Sequence, residues 1–253
     1  MLSDLPYDGG GHPDAREVRP WAHLGSPRPL MQAEREVLFD CRFQSRSVAA
    51  SQTQIVQSSL ADTLFFLERG WACQFKSTLG GRRQILRILT AGDFLNVEGV
   101  IFGRNGSAVL HLAEGQVSST PAGPVRALMA RHADIARRFA WIAARDATIS
   151  QQTLFCLGRL NANQRLAHLL CEMAVRLGHH QASGHLVFEF PLTQEVLADV
   201  LGLTAVHVNR TMQWLRAERL ISTSDRVVTV NDIGNLRRLC EFDPAYLHTD
   251  YEP

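Results

Sequence analysis

Residues 193–215, TQEVLADVLGLTAVHVNRTMQWL, constrain this chain more than any other stretch. At helical spacing, Val196, Leu197, Val200 and Leu201 share one apolar face. Gly202 then ends the helix, as a glycine free to take positive φ does. Thr204 has the side chain to cap a second helix. In that helix Val208, Met212 and Leu215 turn inward, and Ala205, Val206, Asn209, Arg210 and Gln213 turn outward. Two helices crossing at a short turn need a small residue at the crossing, a glycine in the turn and an apolar lock in the second helix. Ala198, Gly202 and Val208 meet those needs at offsets of four and six residues, which predicts a helix-turn-helix.

The outward set has a consistent chemistry. Arginine pairs bidentately with guanine, asparagine and glutamine pair with adenine, and a valine such as Val206 packs on a thymine methyl. The second helix, 204–218, is therefore expected to enter a major groove of double-stranded DNA, N-terminal end first, with Thr204 and Ala205 leading. Thr193, Gln194 and His207 suit phosphate contacts, which position a protein without reading sequence. Downstream, Leu220 to Thr223 and Val227 to Val230 read as a hairpin turning at Ser224-Asp225, so a wing follows the second helix. Ser222, Ser224 and Arg226 lie near its tip.

Upstream, Asp134 to Leu160 reads as one long helix with two apolar stripes. Ile135, Phe139, Ile142 and Ile149 form the first. Ala136, Ala140, Ala143, Ala147, Leu154 and Leu157 form the second. A helix with two such stripes must bury both. The large one is expected to cover a neighbouring domain. The small one lets two axes approach closely, which predicts pairing with the same helix of a second copy.

Between about Leu60 and Ser119, short apolar runs alternate with glycine turns. Trp71, Cys73 and Phe75 alternate; Leu79-Gly80-Gly81 and Ala91-Gly92-Asp93 read as turns. This pattern predicts a β-roll or barrel. The expected fold is thus α+β. A tail, 1–29, is expected to be disordered; a β-roll covers 30–123; a short helix and the long dimerisation helix cover 124–160; a winged helix-turn-helix covers 161–248.

Composition excludes several classes. Hydrophobic residues make up 45% of the 253 residues and charged ones 20%, enough to bury a core. There is no apolar run of spanning length and no secretory signal, so a cytoplasmic protein without membrane attachment is expected. Cys41, Cys73, Cys156, Cys171 and Cys240 are scattered and suit buried thiols better than a disulfide frame or zinc site. His179, His180 and His185 read as a solvated loop rather than a metal site. No nucleophile–base pair or phosphate loop is present, so no catalysis is expected. From Arg159 onward, nine arginines face eleven acidic residues, an acidic balance for a nucleic-acid-binding half.

The motifs GRRQIL (Gly81 to Leu86), AGDF (Ala91 to Phe94), RLAHLL (Arg165 to Leu170) and the 193–215 stretch together resemble the Crp/Fnr family of bacterial transcription regulators, over roughly residues 30 to 248. The resemblance implies a double-stranded β-helix or roll like a cyclic-nucleotide-binding domain, a homodimer, a two-fold symmetric operator and RNA polymerase as a further partner. It places a possible effector pocket at Glu98, Ser107, Ala108, Ser150 and Gln151. Gly106 stands where nucleotide-binding relatives carry the phosphate arginine, and Arg104 is two residues early. The effector is therefore expected to be absent or not a cyclic nucleotide, with no cofactor. The alternative is a sensor responding to a cyclic nucleotide or to haem, His111 being a candidate axial ligand. With two cysteines in the first 150 residues, an iron–sulfur cluster is not expected. Relatives that answer to cyclic AMP carry Arg and Glu at the positions of Ala205 and Val206, so the operator is expected to differ from theirs.

Overall fold

A computed structural model describes residues 31–38 and 41–248; the 1–29 tail lies outside them. The N-terminal half holds α1 (Gln32–Leu38), β1 (Gln44–Val48), β2 (Thr53–Ile55), β3 (Thr63–Arg69), β4 (Trp71–Ser77), β5 (Arg83–Thr90), α2 (Val97–Phe102), β6 (Ala108–His111) and β7 (Gly115–Pro121). One sheet runs β1-β7-β3 and the other β2-β6-β4-β5, with every pairing antiparallel. Val48, Leu67 and Val117 of the first sheet share a buried cluster with Ile55, Ala72, Leu89 and Val109 of the second. The two sheets thus close on each other as the predicted roll.

Strand β4 is buried on both faces. Ala72 points into the roll. Trp71 and Cys73 point the other way and join Ile85 and Ile88 in a cluster with the C-terminal unit. The alternation of Trp71, Cys73 and Phe75 thus marks a domain junction, with the Trp71 ring edge-on to Phe190 at 6.3 Å.

Helices α3 (Ala122–Arg131) and α4 (Ala133–Arg159) follow. Helix α3 starts two residues before Pro124, whose missing N–H costs nothing in a first turn. On α4, Ile135, Phe139 and Ile142 cover the roll beside Phe66, Phe94 and Val97, while Ile149 joins the C-terminal cluster. The large stripe is buried as expected, in two separate places.

The C-terminal unit holds α5 (Ala162–Arg176), β8 (Leu186–Glu189), α6 (Gln194–Leu201), α7 (Ala205–Ala217), β9 (Ile221–Ser224), β10 (Val227–Val230) and α8 (Ile233–Cys240). Asn161 and Gln164 form a reciprocal capping box that starts α5. The wing is a sheet of order β8-β10-β9. All five cysteines are buried.

Candidate DNA interface

The helix-turn-helix is built as its spacing requires. The Thr193 hydroxyl accepts from the Val196 N–H at 3.2 Å and starts α6; the Thr204 hydroxyl accepts from the His207 N–H at 3.2 Å and starts α7. Gly202 sits between them at φ 63°, and Leu203 N–H closes the helix end on the Ala198 carbonyl at 3.0 Å. A Cβ on Gly202 would come within 3.2 Å of Leu157 Cδ2, so the position is constrained both by backbone angle and by packing.

Helix α7 buries Val208, Thr211 and Leu215. Met212, expected inward, is only half-buried, and Thr211 takes the deeper place. At about 100° per residue, the direction opposite the buried trio passes through Val206 and Gln213, with Asn209 and Arg210 to either side. Val206 is 65% exposed, Arg210 and Gln213 are exposed, and Asn209 and Ala205 are half-buried. Thr193, Gln194, Thr204 and His207 are exposed as well. Ser222, Ser224 and Arg226 are exposed at the wing, where Asp225 makes the turn at φ 50°.

Three residues of this unit carried no separate signal in the sequence. Arg165 donates to the carbonyls of Leu157 (2.7 Å), Leu160 (2.8 Å) and Leu201 (2.9 Å). One guanidinium thus caps the C-terminal ends of both α4 and α6, where a cation is favoured by the helix dipoles. Trp214 is 37% exposed on the flank of α7. Arg216 reaches the Thr223 hydroxyl at 3.2 Å and ties α7 to the wing.

The second stripe of α4 divides. Ala140, Ala147 and Leu154 are exposed, whereas Ala136, Ala143 and Leu157 are half-buried against their own chain. Leu154 is 71% exposed and its neighbour Phe155, which carried no expectation, 53%.

In the roll, the Gln74 amide donates to Glu98 at 2.7 Å and to the Ser107 hydroxyl at 2.6 Å. Burial raises the Glu98 carboxyl above its ordinary pKa. Arg87, buried on β5, is paired with Asp146 of α4. Ala108 is buried beside Ser107, while Ser150 and Gln151 are exposed on α4. Gly106 is exposed, and Arg104 turns away to the Ser58 carbonyl at 2.6 Å. His111 is buried with Nε2 3.3 Å from the Gln54 amide oxygen. The His179 ring lies against Phe188, and no group of three metal-ligating side chains occurs among the described residues. No helix among them is long and apolar enough to cross a membrane.

A β-roll, a long helix and a winged helix-turn-helix with an uncovered polar face on its second helix define a DNA-binding transcription regulator. Comparison with known proteins narrows the class. Residues 164–239 match the model of the Crp-like helix-turn-helix domain. The chain is 30% identical to the transcriptional activatory protein AadR of Rhodopseudomonas palustris, over 65% of this chain and 68% of the relative. It is 27% identical to the transcriptional activator protein FnrL of Cereibacter sphaeroides, over 76% and 78% respectively. The structure of FixK2 from Bradyrhizobium japonicum superimposes with a TM-score of 0.71 at 21% identity, covering 78% of this chain and 96% of that one. The chain belongs to the Crp/Fnr family of transcription regulators.

Proposed function

We propose that this regulator binds a two-fold symmetric operator as a homodimer, each copy laying α7 in a major groove. The observation that carries this reading is the exposed face of Val206, Arg210 and Gln213, flanked by the half-buried Asn209, opposite the buried Val208, Thr211 and Leu215. Arg210 reads a guanine edge, Asn209 and Gln213 read adenine, and Val206 meets a thymine methyl. Thr193, Gln194, Thr204, Ala205 and His207 hold the groove edges, with the wing tip on the backbone. The exposed Ala140, Ala147 and Leu154 of α4 form the dimer seam, with Ala136, Ala143 and Leu157 at its margins. Half-sites then fall about 34–36 Å apart, one turn of DNA. Its relatives carry the names of activators, so RNA polymerase is the partner once DNA is bound, in the cytoplasm.

The roll acts without a cyclic nucleotide. Gln74 already bonds Glu98 Oε1 and the Ser107 hydroxyl, and the phosphate arginine is missing at Gly106. Neither a cofactor nor a catalytic step forms part of this reading.

The test is selection of bound duplexes from a random pool, followed by gel shifts with Arg210→Ala. Specific affinity is expected to fall by about 1–3 kcal/mol, with discrimination relaxed at one base pair of each half-site. Unchanged affinity for the selected operator in a folded Arg210→Ala protein overturns the docking.

A further inference from the structure

The segment Lys76 to Arg83, KSTLGGRR, carries three cations and no carboxylate, including the one lysine of the chain. It forms the end of the β4–β5 hairpin. Its tip is tightly closed: Thr78 N–H donates to the Arg82 carbonyl at 2.8 Å, Gly81 N–H to the Thr78 carbonyl at 3.0 Å, and Arg82 N–H to the Thr78 hydroxyl at 3.2 Å. Residues 76–82 are all exposed, and Leu79 at the apex is fully so. This basic finger does not stand free of the DNA-binding unit. Arg83 fastens it there, with Nε and Nη2 at 2.7 and 2.6 Å from the Asp199 carboxylate. The Gln84 amide adds bonds to the Asp199 and Val200 carbonyls at 2.7 and 3.2 Å.

The fastening leaves an open cleft of about 650 Å³ between hairpin and helix-turn-helix. Ser77, Gly81 and Arg82 line one wall; Ala198, Gly202 and Leu203 line the other. Leu203 immediately precedes Thr204, the cap of α7. The hairpin tip therefore lies beside the end of α7 that leads into the groove. In the cleft, the Asp199 carboxylate is committed to Arg83, and the Arg82 guanidinium makes no ion pair among the described residues. The unit beside it is short of positive charge, with nine arginines against eleven acidic residues from Arg159 onward.

We propose that the β4–β5 hairpin is a second, sequence-independent DNA contact, in which Arg82 and Lys76 bind phosphates flanking the groove that α7 occupies. A duplex carries one negative charge per about 1.7 Å of axis, so a cation at the groove edge finds a phosphate and releases its counterions. The roll thus supplies charge that the winged helix lacks. This assignment rests on the docking of α7 proposed above.

The experiment measures affinity against salt for full-length protein, on the selected operator and on an unrelated duplex. Both Arg82→Gln and Lys76→Gln are exposed changes, and an unchanged unfolding midpoint verifies that each variant folds. Arg82→Gln is expected to lower the slope of log K against log salt by about two per dimer. It should weaken operator and unrelated duplex by the same factor, and Arg82→Lys should restore the slope. Lys76→Gln should act in the same direction. An unchanged slope with unchanged affinity overturns the proposal. So does a loss confined to the operator, which would make the hairpin a support for the reading head. Unaltered DNA binding with lost transcription in vitro also overturns it, in favour of a polymerase contact. Arg210→Ala, run alongside, separates the two readings: if it leaves operator affinity and discrimination at every base pair unchanged, the docking of α7 fails, whatever Arg82 does.

Discussion

Arg165 donates to the carbonyl of Leu201 at 2.9 Å while also holding the carbonyls of Leu157 and Leu160. A single side chain at the start of α5 thus joins the end of the long helix to the end of the first helix of the reading head. The planar fork supplies three donors in fixed directions, and a lysine ammonium cannot match that geometry. Arg165→Lys is expected to lower stability by about 1.5–3 kcal/mol, the range for hydrogen bonds to a charged group. Urea unfolding checks this, and a midpoint within error of the parent would refute the clamp.

A second link carries more charge. Arg176 on α5 lies 2.6 Å from Asp93 at the end of β5, and 3.3 Å from Glu172, which also accepts from the Tyr246 hydroxyl at 2.9 Å. Arg145 of α4 reaches the other Asp93 oxygen at 3.3 Å. Asp93 and Glu172 are buried and the two arginines half-buried, and the arginines hold the Asp93 carboxyl below its ordinary pKa in spite of its burial. Removing one partner leaves a buried charge uncompensated, so Asp93→Ala is expected to cost about 3–5 kcal/mol. A drop of less than about 1 kcal/mol in denaturant unfolding would mean that water enters and compensates.

How much of this was legible beforehand follows from which forces leave a periodic trace. The 193–215 stretch did, because a sharp turn between two packed helices fixes Ala198, Gly202 and Val208 by steric demand alone. The large stripe of α4 did, because burial recurs with the helical period. Strands β1 and β2 left none: QSRSV is exposed at four of five positions, and TQI is three residues long. Arg165, Arg87 and Arg176 were equally silent. Their partners lie mostly on other elements, and an arginine in a sequence looks the same whether it is solvated or packed against a carboxylate or carbonyl. Thr211 outranked Met212 in burial because packing against α6 and α5 decides what hydropathy does not.

The junction has a pH dependence with a definite sign. His168 on α5 is 4% exposed, stacks on Tyr246 at 5.8 Å, and sits with Nε2 3.1 Å from the Gln152 amide of α4. Cys156 and Glu172 line the same small cavity. Burial lowers its pKa from 6.5 to about 4. In that interval the unfolded chain binds the proton more readily, so stability is present above pH 6.5 and is lost as pH falls toward 4. At 1.36 kcal/mol per unit, the loss saturates near 3 kcal/mol. His168→Gln should flatten this part of a stability profile between pH 4 and 7; a variant with the parent's slope would remove His168 as its source.

The roll is expected to ignore cyclic nucleotides. The Gln74 amide cross-links Glu98 and Ser107, and Arg87 is paired with Asp146, so these polar groups of the candidate pocket are already tied to one another. A nucleotide would have to break these bonds and would find no arginine at Gly106. Calorimetry with cyclic AMP and cyclic GMP should give no saturable heat at micromolar concentrations. Saturable binding would restore the sensor reading, and Gln74→Ala would then be expected to alter the affinity.

The dimer seam can be tested apart from DNA. Ala140 and Ala147 are seven residues apart and Leu154 a further seven, so all three recur on one line of α4 at coiled-coil spacing. All three are exposed in the single chain, and Leu154 alone leaves 71% of its surface uncovered. A glutamate on this line would meet its own copy across a two-fold axis, so like charges would be forced together and desolvated. Ala147→Glu with Leu154→Glu should therefore yield a folded monomer by light scattering, since neither side chain supports the roll. Operator affinity should fall by at least about a hundredfold, because a single α7 engages only half of a symmetric site and loses the gain of a linked second contact. A double variant that still scatters as a dimer would place the seam elsewhere on the molecule. A parent protein that is monomeric at the concentrations where it binds its operator would remove the two-fold arrangement altogether.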